Sequence, residues 1–141
     1  MKELMFLILI LLLVSSLAFS CVFDRPRSDD PLLKKIRHDI LRLEPRLSFV
    51  KFFSSDESCT KFKEKVYLCL RDEHGQYYDY NMLMYVAIHE CAHVLSPSYD
   101  DKHETKEFRY LFSQLLDRAE KLGIYNSQKP LPSMYCHIKM D

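Results

Sequence analysis

Glycine is scarce. The chain of 141 residues holds two, Gly75 and Gly123, beside six prolines. Collagen-like and low-complexity architectures are therefore excluded. A phosphate-cradling glycine loop is hard to build from two isolated glycines. Net charge is missing as well: Lys+Arg and Asp+Glu number 20 each. No bulk field is available to hold a polyanion, and no nucleic-acid partner is expected. None of the cysteines (Cys21, Cys59, Cys69, Cys91 and Cys136) forms a CxxC pair. That spacing excludes a zinc ribbon and a thioredoxin-like motif.

What is present suits one folded domain. The mass is 16.8 kDa, with 48% hydrophobic and 28% charged residues, which is no disordered polar tail. Apolar residues concentrate at the N-terminus. Leu4 to Phe23 carries no charge, and Leu4 to Val14 is uninterrupted apolar sequence. At about 1.5 Å per residue such a helix spans roughly 30 Å, the thickness of a bilayer core. Residues 1–23 are read as a single-pass membrane anchor. The alternative is a signal peptide cleaved after Ala18-Phe19-Ser20, with secretion of the rest. Residues 24–31 form a polar linker, and 32–141 the domain. If that domain faces an oxidising space, one disulfide among Cys59, Cys69 and Cys136 is open to it.

The soluble part predicts three main helices and a short sheet. Asp30 and Pro31 are an N-cap and a first helical residue. Leu32, Leu33, Ile36, Ile40 and Leu43 follow at helical spacing until Pro45. Arg46 to Phe53 and Val66 to Leu70 read as strands, and Gln76-Tyr77-Tyr78 as a short return after the Asp72–Gly75 turn. Asp79 to Leu95 is a helix apolar nearly all round, as expected of a buried central element. The last helix begins with a capping-box pattern, Asp101 to Glu104, and ends at Gly123. The tail from Asn126 is expected to be irregular.

The string His89-Glu90-Cys91-Ala92-His93 is an HExxH motif on the central helix. Two imidazoles one helical turn apart can share a Zn²⁺ at about 2.0–2.1 Å. The glutamate between them misses the metal and can act as general base on a water. Random placement would produce this motif in roughly 1–2% of chains of such composition. The competing reading is a pair of core histidines bonded to backbone or carboxylates. A third ligand is required, and His103, ten residues beyond His93 across Ser96-Pro97-Ser98, is the first candidate. Glu104 and Glu107 come next, and Asp100 and Asp101 read as capping residues. His38, His74 and His137 read as surface or tail residues. Tyr85 and Tyr99 are the candidate oxyanion donors, and Cys91, on the opposite face from the histidines, reads as packing.

The stretch from Val66 to Asp79, followed by Met84-Tyr-Val-Ala-Ile-His-Glu-Cys-Ala-His-Val-Leu95, resembles small HExxH zinc peptidase domains. It is most similar to compact ones of large DNA viruses and more distantly to the WLM and SprT-like metallopeptidases. The resemblance covers about residues 46–125. It implies an α+β, zincin-like domain with a short antiparallel sheet, with His89, His93 and His103 as zinc ligands and Glu90 as catalytic base. The partners it implies are a protein or peptide substrate, and the N-terminal segment adds a membrane. Two departures matter. Ser96 and Tyr99 stand where metzincins carry Gly and His, and the interval from His93 to His103 exceeds the usual WLM interval. The rival expectation, from another class, is a non-catalytic zinc-stabilised structural or interaction protein of a membrane or virion.

Overall fold

The computed structural model describes residues 27–97 and 105–140. The predicted anchor or signal peptide over 1–23 lies outside them, as do Tyr99, Asp100, Asp101, His103 and Glu104. Among the described residues no helix is long and apolar enough to cross a membrane.

Among the described residues the architecture is α+β, with three α-helices and a small sheet. Helix α1 (Pro31–Leu43) starts where the Asp30 carboxylate accepts the amides of Leu32 and Leu33, with Pro31 at the first turn. Its stripe of Leu33, Ile36, Ile40 and Leu43 is buried, as the spacing predicts. Pro45 then opens a 3₁₀ turn, Pro45–Phe49, where a strand is expected from Arg46 onward. The reason is local: the Glu44 carboxylate caps the Arg46 amide and draws the chain into a tight turn. Extended structure begins only at β1 (Lys51–Ser54).

Strands β2 (Cys59–Lys61) and β3 (Lys65–Leu68) complete the sheet in the order β1-β3-β2. The sheet is mixed and not antiparallel: β3 pairs parallel with β1 and antiparallel with β2. The link from β1 passes the end of β3, where Ser55 donates to the Leu68 carbonyl. The chain therefore descends on the far side, and β3 returns through the middle in the direction of β1. The expected strand at Gln76–Tyr78 shrinks to one bridge between Arg71 and Tyr77.

Helix α2 (Tyr80–Leu95), capped by Asp79, runs through the centre. It packs against α1, β2, β3 and helix α3 (Lys106–Lys121). Met82, Leu83, Met84, Ala87, Ile88 and Cys91 are fully enclosed. Each large side chain so buried contributes about 1.5–3 kcal/mol of transfer free energy. Helix α3 starts at Lys106, where the Thr105 hydroxyl accepts the Phe108 amide and closes the first turn; the expected capping box, Asp101 to Glu104, lies outside the described residues. It ends at Leu122, followed by Gly123 at φ 70°, with Ile124 donating back to Ala119. That is the left-handed cap glycine favours. The tail is more ordered than expected. Strands β4 (Met134–Tyr135) and β5 (Ile138–Lys139) form a hairpin, and Cys136 is bonded to Cys69 at the end of β3.

Candidate metal and catalytic site

Helical periodicity sets His89 and His93 on one face of α2, with ring centroids 5.0 Å apart. Both are half-buried. Two imidazoles on one tetrahedral zinc would have centroids about 5.2 Å apart, taking Zn–N distances of about 2.0–2.1 Å. The spacing of the two rings matches that value. Aromatic rings of α3 border it. Phe108 lies 4.4 Å from the His93 ring and 5.3 Å from that of His89, and Phe112 lies 5.2 Å from His89. Tyr85, one turn before His89, is half-buried and packs on Phe112 and Tyr125.

Glu90, the residue after His89, meets strand β2 of the sheet through Thr60. It is buried, with 7% exposure. The Thr60 hydroxyl, on β2, stands 2.7 Å from Glu90 Oε2 and 3.0 Å from the Glu90 carbonyl. Burial pushes the Glu90 carboxyl up to about 7, while the Thr60 bond pulls the other way. A carboxyl in that range can both take and return a proton near neutrality.

The far end of α2 is held by Lys63. Its ammonium donates to the His93 carbonyl at 3.0 Å and to the Ser96 carbonyl. A cation there also complements the helix dipole. Lys63 reaches the carbonyls from a tight turn in which Phe62 and Lys63 have φ of 53° and 55°.

Among the sequence-predicted residues, the structure sets the rings of His89 and His93 side by side and seats Glu90 against Thr60. His103, the candidate third ligand, lies outside the described residues, and so do the runner-up Glu104 and the candidate donor Tyr99. Glu107 is exposed on the first turn of α3. Among the described residues no group of three or more His, Cys, Asp or Glu side chains gathers to hold a metal. His38, His74 and His137 are exposed. Cys91 is buried in the core as a free thiol, its pKa raised by that burial. Thr60 and Lys63 are the site residues that sequence reasoning missed. Neither belongs to the motif, and each contact spans a sequence separation of about thirty residues that only the packing of the β2–β3 hairpin on α2 creates.

The chain is similar in sequence to three uncharacterised viral proteins. Protein 136R of Invertebrate iridescent virus 6 is 39% identical over 90 residues, covering 62% of this chain and 49% of the relative. Protein 042R of Invertebrate iridescent virus 3 is 39% identical over 90 residues, covering 63% and 55%. Protein R325 of Acanthamoeba polyphaga mimivirus is 36% identical over 81 residues, covering 55% and 40%. The homologues are proteins of large DNA viruses. The chain spans about half the length of these relatives or less. No family model matches it, and no solved structure does.

Proposed function

We propose that this chain is a zinc-dependent peptidase of zincin-like architecture, distantly related to the WLM and SprT-like enzymes. The observation that carries the reading is the pairing of two half-buried imidazoles on one face of α2 with the adjacent carboxyl of Glu90, seated against Thr60. His89 and His93 would hold the ion, with His103 as third ligand. Zinc bound there would supply Lewis acidity toward a peptide carbonyl and toward water. Glu90 accepts the proton of the attacking water on the oxygen left over from Thr60, and returns it to the leaving amine. Thr60 keeps the carboxylate in one rotamer while the proton moves. The segment 1–23 would tether the domain to a membrane or direct its secretion. The Cys69–Cys136 disulfide supports exposure of the domain to an oxidising space.

A second reading is a non-catalytic zinc-stabilised protein of a membrane or virion. The close packing of Phe108 on His93 favours it, because it narrows the approach to that imidazole. One experiment separates the two. The purified full chain is assayed for bound zinc and for cleavage of a quenched fluorescent peptide library, beside Glu90→Gln. The peptidase reading expects one zinc per chain in both proteins and a loss of turnover of at least a thousandfold in the variant. Zinc without cleavage in either protein leaves the structural role. Absence of zinc ends both.

A further inference from the structure

The C-terminal hairpin is fastened to Ser58, the residue that leads into the strand holding Glu90, and to Cys69 just beyond β3. Tyr135 is 3% exposed, and its hydroxyl sits in a closed ring of hydrogen bonds. The Cys69 amide donates to Ser58 Oγ at 2.9 Å, Ser58 Oγ lies 2.7 Å from the Tyr135 hydroxyl, and that hydroxyl donates to the Cys69 carbonyl at 2.6 Å. With those directions the Ser58 hydroxyl donates to Tyr135, and every proton in the ring is used. Ser58 is two residues before Thr60. Alternation along an extended chain sends both side chains to the same face: Ser58 takes the tail, and Thr60 takes Glu90. The hairpin is clamped again by the Cys136 amide donating to the Tyr78 hydroxyl at 2.9 Å, and by the Tyr78 and Tyr135 rings, 4.8 Å apart.

The hairpin turn itself is costly. Cys136 and His137 have φ of 44° and 66° with no glycine at either position. Left-handed backbone is unfavourable at each such residue because Cβ crowds the following carbonyl. Cys136, the first of these two residues, is the one bonded to Cys69, with the Cα atoms 6.4 Å apart and a separation of 67 in sequence.

We infer that the Cys69–Cys136 disulfide is a redox latch: closed, it seats Tyr135 behind β2 and so steadies the Thr60–Glu90 contact; open, it lets the hairpin leave and the contact slacken. The seating of the hairpin stands by itself, and only its effect on turnover rests on the peptidase reading. A dithiol opens the latch by exchange. One of its thiolates attacks a disulfide sulfur, the S–S bond breaks, and a mixed disulfide forms. The second thiolate displaces the remaining protein sulfur. Cys69 and Cys136 leave as thiols, and two electrons and two protons come from the reductant, which ends as its own disulfide.

The test is hydrogen exchange on the full chain in detergent, read by mass spectrometry. Cys69→Ser combined with Cys136→Ser removes the latch and no other cysteine. The expected result is at least tenfold faster exchange over both 134–140 and 58–61, with α1 protection unchanged. Loosening of 134–140 alone overturns the proposal, because the hairpin is then a local staple. If the double variant loses protection in α1 too, Tyr135→Phe decides. It keeps the disulfide and removes only the hydroxyl, and it should speed exchange over 58–61 several-fold; an unchanged rate there overturns the proposal. The redox arm titrates the unaltered chain with dithiothreitol while thiol labelling follows Cys69 and Cys136. Release of 134–140 should track their reduction before α1 opens. A bond that survives until α1 unfolds is a permanent fastening, and the switch is refuted. None of the exchange arms uses hydrolysis, so an inactive protein that behaves as expected rejects the peptidase and keeps the latch.

Discussion

Thr60 is the residue on which the chemistry of Glu90 leans most directly. Its hydroxyl lies 2.7 Å from one carboxylate oxygen in a buried setting. Hydrogen bonds that orient a group at a metal site are typically worth about 10–100-fold in activity. On the peptidase reading, Thr60→Val, nearly the same in shape, should cut turnover by about that factor with zinc content unchanged, and Thr60→Ser should restore most of it. Equal loss in both variants would assign Thr60 to packing only. The facing of His89 and His93 was legible in the sequence, because helical periodicity alone brings i and i+4 to one face. Thr60 was not. A threonine in a short strand carries no sign of the helix it meets, and that contact exists only after the sheet has docked on α2.

At the scale of elements, the turn between β2 and β3 shows a local conflict that the fold overrides. Phe62 and Lys63 hold left-handed backbone, and the Glu64 amide closes the turn on the Lys61 carbonyl. Such a turn favours asparagine or glycine at its centre. Lys63 gains its two carbonyls on α2, but Phe62 is 80% exposed. Replacing it removes little packing. Phe62→Asn should raise stability by about 0.5–1 kcal/mol, from relief of the left-handed cost at one residue, as read by urea denaturation; a lower midpoint would contradict this. The same conflict explains which elements were legible. Helices α1 and α2 announce themselves through Asp30-Pro31, Asp79 and long apolar periodicity. Helix α1 starts after its expected cap Asp30, and α2 starts one residue later than expected, with Asp79 as its cap. The turns at Phe62-Lys63 and Cys136-His137 contain no glycine or asparagine, so neither hairpin had a signal at its centre. The parallel pairing of β1 with β3 left no trace either, since residues such as Phe52 and Val66 suit either direction.

For the whole molecule, the junction of α1, the 3₁₀ turn and α3 gathers on one carboxylate. Glu44 is buried. It accepts from Arg46 Nε at 2.8 Å and Nη2 at 2.9 Å, and from Arg118 Nη1 at 3.2 Å, while Arg118 also donates to the Leu43 carbonyl. The Arg46 bonds foremost, then Arg118, pull the Glu44 carboxyl from 4.5 down to about 2. A folded-state pKa below the unfolded one means that the unfolded chain binds more protons between those two values. Stability from this group is then complete above about pH 4.5 and is lost as the pH falls through about 2. A shift of that size corresponds to about 3 kcal/mol at most. Arg46 and Arg118 are largely solvated, and screening reduces the effect to about 1–2 kcal/mol. Glu44→Gln should therefore unfold at lower urea than the unaltered chain at pH 7, by about that amount. The gap should close as the pH falls from 4.5 toward 2. A gap that stays constant across the range would mean that the glutamate side chain contributes packing and not charge, and that α3 is fastened to α1 without the help of the ion pairs.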